Sequence, residues 1–185
     1  AARGADPRRT LTGFKWLVRA GEPLVYAYEE ALGHCVDPQA VRDKDGISAA
    51  VTLARIAAAR ASDGGLAGAL AGLTARYGPH LTAQRSLRLP DPADIAALMS
   101  ALRTAPPPAL ASIPVRAKDF LLDDALRTDA VELTGEAAGI ALRVVARPSG
   151  TEPKLKYYAQ VSAGPGVAPT GLAELLAQAL TELPG

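Results

Sequence analysis

The stretch Arg147-Pro148-Ser149-Gly150-Thr151-Glu152-Pro153-Lys154-Leu155-Lys156 sets two hydroxyls and a glycine between flanking cations. A turn of this composition can aim successive backbone N–H groups into one concavity. Ser149 and Thr151 can add hydroxyl donors, and Arg147 can hold phosphate oxygens through two parallel N–H groups. The chemistry that fits is phosphate binding. A hairpin turn with incidental polar residues fits equally well, and the residues alone leave both readings open.

Three further groups could touch a ligand. In Tyr28-Glu29-Glu30-Ala31-Leu32-Gly33, adjacent carboxylates on a loop can accept hydrogen bonds from vicinal sugar hydroxyls, because an ionised carboxylate is an acceptor-only group. Paired glutamates are also common on solvated loops. In Arg42-Asp43-Lys44-Asp45-Gly46 the alternating charges fit a solvated helix start, with Asp45 as the N-cap, and the residues alone give Lys44 no function. In Thr12-Gly13-Phe14-Lys15-Trp16, Gly13 lets backbone approach a ligand and Lys15 could meet an anion. The alternative there is a buried aromatic anchor.

The elements that must position these groups follow from periodicity. The first ten residues hold three arginines with Gly4 and Pro7 and show neither a strand nor a helix period, which predicts a disordered start. Leu24 to Tyr28 favours a short strand, followed by a charged loop to Asp45. The Ala-rich run 46–61 predicts a helix with Ile47, Val51 and Ala54 on one face, and a second helix covers 66–77 before Gly78-Pro79. Asp91-Pro92 reads as N-cap and first helical residue, with Ile95, Leu98, Met99 and Leu102 on one stripe. Pro106-Pro107-Pro108 ends that helix and predicts a stiff spacer, so a domain boundary is expected near it. Beyond it Ile140, Leu142 and Val144, then Leu155, Tyr157, Ala159 and Val161, alternate as two strands on a common core. A last helix from Thr170 carries Leu172, Leu175, Leu176, Ala179, Leu180 and Leu183 to cover them.

The whole chain narrows the function classes. At 185 residues, with 49% hydrophobic and 21% charged residues, it has room for two small packed domains. A formal net charge of +1 gives no general pull toward nucleic acid or an acidic membrane, so anion binding must come from local placement. One cysteine, Cys35, with His34 and His80 is too few for a zinc cage and forms no internal disulfide. With neither a run of roughly 20 apolar residues nor the apolar core of a signal peptide, a soluble cytoplasmic protein is expected.

Taken together, the strings 12–16, 28–33, Arg-Asp-Lys-Asp-Gly-Ile-Ser-Ala-Ala (42–50) and Arg-Pro-Ser-Gly-Thr-Glu-Pro-Lys-Leu-Lys-Tyr-Tyr (147–158) resemble, in order and spacing, the alpha-phosphohexomutase superfamily of phosphoglucomutases and phosphomannomutases. The resemblance implies a partial α/β third domain at 11–90, a helix and Pro-rich linker at 91–112, and an α+β fourth domain at 113–185 with a small antiparallel sheet and covering helices. It implies that Glu29 holds sugar hydroxyls with Thr12 and Gly13 beside it, and that Lys44 reaches the substrate as an auxiliary to catalysis. It also implies that Arg147, Ser149, Gly150 and Thr151 bind the non-transferring phosphate. Ala31 departs from the family, whose sugar loop usually reads Glu-x-Ser.

The family's reaction moves phosphate between C1 and C6 of a hexose. It uses a phosphoserine in a Thr-Ala-Ser-His-Asn-Pro type loop and magnesium held by an Asp-x-Asp-x-Asp-Arg type loop, and neither string occurs here. Without metal and positioned charge the transition state is not stabilised. The chain is therefore expected to bind a hexose phosphate, to bind no magnesium itself, and to be inactive alone unless a complementary N-terminal chain joins it. Other readings are a non-catalytic phosphosugar-binding module and a truncated gene relic. An apolar patch is expected on the earlier domain, with poor solubility or self-association.

Overall fold

The computed structural model describes residues 4–10, 13–29, 32–150 and 152–185. The chain divides into two compact units, Ala1–Leu70 and Ala71–Gly185.

In the first unit a short helix α1 (Phe14–Leu17) precedes a two-stranded antiparallel ribbon, β1 (Ala27–Glu29) and β2 (Gly33–Cys35). The register sets Tyr28 opposite His34 and Glu29 opposite Gly33. The predicted strand at 24–28 begins later than expected, because Pro23 offers no N–H and the Leu24 N–H is taken by the Glu22 carboxylate at 3.3 Å. The segment read as loop up to Asp45 contains β2, too short to show a period. Residues 4–10 carry no helix or strand, yet Arg8 donates to the Ala20 carbonyl at 2.6 Å, so the stretch read as disordered has a tether.

Helix α2 (Gly46–Ala59) starts where Asp45 was placed as N-cap, and Asp45 accepts from the Ile47 and Ser48 N–H groups at 3.0 and 3.3 Å. Helix α3 (Gly65–Tyr77) follows and contains the division between the units. The core of the first unit is small: Phe14, Val18, Ala27 and Cys35, with Leu17 and Leu24 against them. Neither α2 nor α3 has a buried residue, and Ile47 is 80% and Val51 54% exposed. This is the expected apolar surface.

The second unit is a five-stranded antiparallel sheet in the order β3-β9-β8-β7-β6. Its strands are β3 (His80–Arg88), β6 (Arg116–Asp119), β7 (Val131–Ala137), β8 (Ile140–Pro148) and β9 (Lys154–Ala163). Between β3 and β6 come α4 (Pro92–Thr104) and a two-residue pair, β4 (Ala109–Leu110) with β5 (Ile113–Pro114). Helix α5 (Pro169–Thr181) closes the chain. Leu133, Leu142, Val144, Leu155, Tyr157 and Val161 pack in one core with Ile95, Met99 and Leu102 of α4 and Leu172, Leu176 and Leu180 of α5. Alternation thus turns one face of the sheet to the helices and leaves the other open.

The boundary expected at the proline run lies elsewhere. Strand β3 pairs with β9 along its whole length, and Leu110, just after the prolines, is fully buried in the later core. Arg103 at the end of α4 is tied to Asp119 at 3.1 Å and to Asp129. Residues 80–112 therefore belong with the second unit. The prolines lead into the core rather than away from it, with the Pro108 carbonyl accepting from the Val115 N–H at 3.0 Å.

Candidate functional site

In the second unit the loop between β8 and β9 is closed by its own backbone. The Ser149 N–H donates to the Lys154 carbonyl at 2.8 Å, and the Lys154 N–H donates to the Glu152 carbonyl at 2.7 Å. The Leu89 N–H donates to the Pro153 carbonyl at 3.1 Å and fastens the loop to the end of β3. Alternation along β8 buries Leu142, Val144 and Ala146, so Arg143, Val145 and Arg147 fall on the open face. Along β9 the same rule buries Leu155 and Tyr157 and turns Lys154, Lys156 and Tyr158 to that face.

The cations around this loop differ in what they hold. Lys154 reaches Glu152 at 2.8 Å and Arg88 reaches it at 3.7 Å, and the Lys154 hydrogen bond leads in pulling the Glu152 carboxyl below its usual range. Arg147 and Lys156 stand directly opposite each other in the register. Among the described residues neither has a carboxylate within ion-pair distance. Gly150 is exposed, a side chain there would meet open space, and its φ is not positive, so the fold itself does not demand glycine at this position. Thr151 lies outside the described residues.

In the first unit β1 and β2 bring Glu29 beside Lys44, whose Nζ lies 2.6 Å from Glu29 Oε2. The Glu29 side chain is 15% exposed and that of Lys44 41%. The Lys44 ammonium sits 5.7 Å from the Phe14 ring centre. At Gly33 a Cβ would come 2.7 Å from Lys44 Cε, so the bare backbone there leaves the path of the lysine stem clear and a side chain would push that stem aside. Gly13 caps α1 at φ 121°, a region that favours glycine. Phe14 is the buried aromatic of this motif, while Trp16 is 45% exposed with Lys15 over its ring at 5.2 Å. Thr12, Glu30 and Ala31 lie outside the described residues.

Glu29, Lys44 and Gly13, named from separate motifs, thus gather around Phe14 and the β1–β2 ribbon. Sequence reasoning missed Arg42, which braces this region by donating to the Val18 carbonyl at 3.0 and 2.9 Å and pairing with Glu22. It also missed His34, which joins Tyr26 Oη at 2.9 Å through Nδ1. Lys156 has its place from hairpin register, since counting residues back from the turn sets it opposite Arg147. Among the described residues no group of three or more His, Cys, Asp or Glu side chains is placed to hold a metal ion, and no helix is long and apolar enough to cross a membrane.

The family model for phosphoglucomutase/phosphomannomutase, alpha/beta/alpha domain III, matches residues 1–77. A probable phosphomannomutase of Haemophilus influenzae is 39% identical over 150 residues, covering 80% of this chain and 30% of that protein. A human phosphopentomutase is 33% identical over 184 residues, 85% of this chain and 29% of that protein. A human glucose 1,6-bisphosphate synthase is 29% identical over 192 residues, 89% of this chain and 30% of that protein. The chain therefore spans about 30% of the length of these curated relatives. The matched domain, these relatives and the mixed α/β architecture agree: the chain belongs to the alpha-phosphohexomutase superfamily and corresponds to its C-terminal portion.

Proposed function

We propose that the loop 147–154 holds the phosphate of a sugar phosphate, through Arg147, Ser149, Thr151 and the open backbone at Gly150, and that Glu29 receives the sugar hydroxyls. In the complete protein these grips serve an intramolecular phosphotransfer between hexose 1-phosphate and hexose 6-phosphate in carbohydrate metabolism. The observation that carries the reading is the cross-strand pair of cations beside a polar loop, Arg147 opposite Lys156, with Glu152 in electrostatic reach of Lys156 but no carboxylate within ion-pair distance of either cation among the described residues. The relatives' names span a phosphomannomutase, a phosphopentomutase and a glucose 1,6-bisphosphate synthase, and what those names share is a phosphorylated sugar.

Each part supplies a definite piece of chemistry. The Arg147 guanidinium offers a planar fork that matches two phosphate oxygens. Glu29 is held by Lys44 through Oε2, and a carboxylate has about four acceptor positions, so room remains for a sugar hydroxyl. Lys44, oriented by Glu29 and by the Phe14 ring, presents a positive charge to the phosphorylated sugar. The magnesium and phosphoserine of the family's reaction are supplied from outside this chain, which by itself is inactive. Its natural setting is the cytoplasm, and its partners are the hexose phosphate and a complementary N-terminal portion.

The test is an NMR titration of the 185-residue chain with inorganic phosphate and glucose 6-phosphate. Amide shifts are expected at 147–154, with a dissociation constant in the millimolar range, about 4 kcal/mol. Arg147→Ala removes the fork and costs about 1.5 to 3 kcal/mol, which takes binding below detection. Glu29→Ala leaves inorganic phosphate binding unchanged. Shifts clustered away from 147–154 refute the assignment. Turnover of glucose or mannose phosphate by the chain alone, with magnesium and hexose bisphosphate present, refutes its inactivity.

A further inference from the structure

We propose that strand β3 is a docking edge for a second copy of this chain. The two β3 strands pair antiparallel about a two-fold axis at Gln84, so that two sheets become one. The inference stands apart from the reading of loop 147–154 and is tested separately from it.

The backbone supplies the first observation. β3 ends the sheet, and among the described strands it pairs with β9 alone. The register continues past both ends of β3, where the Ala163 N–H donates to the Pro79 carbonyl and the Leu89 N–H to the Pro153 carbonyl, each at 3.1 Å. Hydrogen-bonded and non-hydrogen-bonded pairs alternate in an antiparallel ladder. Leu81, Ala83, Arg85 and Leu87 therefore turn their N–H and C=O groups toward β9, while His80, Thr82, Gln84, Ser86 and Arg88 turn theirs outward. Among the described residues no backbone group meets that outer row. The opposite edge of the sheet is different. There β6 is four residues long and carries Arg116, Lys118 and Asp119, the short and charged form that resists pairing. β3 runs nine residues without a proline. Its inward cation, Arg85, is held by the Leu180 and Leu183 carbonyls and so does not guard the edge.

The side chains then fit the edge to itself. Two outward rows can bond only even position to even position, and the register centred on Gln84 is the one that uses the whole strand. It sets Leu81 against Leu87 of the second copy on the helix-covered face, Thr82 against Ser86 on the open face, and Gln84 against Gln84. Leu81 and Leu87 are half-buried, whereas Leu142, Val144, Leu155 and Val161 on the inner strands are buried, so pairing covers apolar surface left at this margin. Opposed hydroxyls and opposed amides can hydrogen-bond across the strands. His80 and Arg88 face each other at the exposed ends, where solvent screens them. Centring the pair on Arg85 would oppose two guanidiniums, and centring it on Ala83 would oppose Leu81 with Arg85. Because β6 is blunted, association closes at two copies.

Sedimentation equilibrium of the 185-residue chain, from micromolar to millimolar concentration, is expected to show a mass approaching two copies. Gln84→Lys and Gln84→Glu each set like charges against themselves and should weaken association about two- to fivefold. Mixing those two variants should restore it, which an interface elsewhere would not do. Gln84→Pro removes an outward N–H and no bond to β9, so it abolishes the dimer while circular dichroism of the dilute chain stays unchanged. If that variant loses its fold, the Lys and Glu mixture decides alone. Ile47→Glu, on the exposed face of α2, leaves the dimer intact. A chain that remains single at every concentration overturns the inference. So does a dimer that Ile47→Glu dissolves, or one that both Gln84→Lys and Gln84→Glu leave unchanged. Mass growing beyond two copies overturns the closed pairing. Phosphate shifts at 147–154 do not depend on any of these outcomes, so failure here leaves that reading standing.

Discussion

The two units carry their candidate groups on different kinds of scaffold. In the second, the loop 147–154 joins two inner strands of a sheet whose one face is filled by Leu133, Leu142, Val144, Leu155, Tyr157 and Val161 under two helices. In the first, Glu29 and Lys44 meet over a core of Phe14, Val18, Ala27 and Cys35, and the long helices α2 and α3 bury nothing. The phosphate loop is held by packing that the unit supplies itself. Local devices hold the other site: an N-cap at Asp45, a glycine that clears the path of Lys44, and Arg42 bracing Val18 and Glu22. Precision in the two places has different physical sources, and so should fail differently.

The largest expected contrast is in substitution of apolar residues. Leu142, 2% exposed in the middle of β8, should cost about 2 to 5 kcal/mol when changed to Ala, through lost burial and the cavity left behind. Ile47, on α2 and 80% exposed, should cost no more than about 0.5 kcal/mol. Chemical denaturation of the two variants measures both, with amide exchange to locate the change. A large effect at Ile47 would mean that α2 is covered by something in solution and would break the comparison.

How much was legible in the sequence follows the same division. The stripe of α5, the alternation of β8 and β9 and the Asp45 and Asp91 caps are local signals, and each is in place. Strand β3 was missed because its inner positions read Leu81, Ala83, Arg85 and Leu87, with a cation breaking the apolar alternation. That cation is satisfied only by tertiary structure. Arg85 donates to the Leu180 and Leu183 carbonyls, each at 3.0 Å, where α5 ends. The site motifs were legible as residue types, but their pairings were not. Lys44 with Glu29 depends on a ribbon of three-residue strands, and Arg147 with Lys156 depends on hairpin register.

A second contrast concerns pH. Tyr157 is buried beneath the sheet and donates to the Pro184 carbonyl at 2.8 Å, and burial pushes its phenol up to about 12, with Arg85 pulling weakly the other way. A group whose ionisation is raised by folding stabilises the fold fully below its unfolded value, near 10, and loses that contribution as pH climbs through the folded value. The second unit should therefore lose on the order of 2 kcal/mol between pH 10 and 12. Tyr157→Phe should remove that part of the pH dependence at the cost of one hydrogen bond. Thermal midpoints measured across this range check it, and an unchanged slope in Tyr157→Phe would show that another group carries the loss.

The smallest effect is the most direct comparison, because each unit has an α-helix capped by an aspartate. Asp91 Oδ1 accepts from the Ala93 N–H at 2.8 Å at the start of α4, and Asp45 caps α2. Replacing either by Ala should cost about 1 kcal/mol of local helix stability. The readout should differ. Ile95, Met99 and Leu102 lock α4 into the core, so Asp91→Ala lowers the unfolding midpoint of the whole second unit. Nothing on α2 is buried, so Asp45→Ala frays that helix and leaves the second unit's midpoint where it was. The Asp45 carboxyl is drawn below its usual range first by its hydrogen bond with Ser48, so the cap is formed above the unfolded value and lost as pH falls through the folded one. Circular dichroism should therefore show α2 losing helicity in acid in the unmodified chain and at every pH in Asp45→Ala. Equal shifts of the second unit's midpoint by both variants would mean that the units unfold as one and that the contrast between their scaffolds is false.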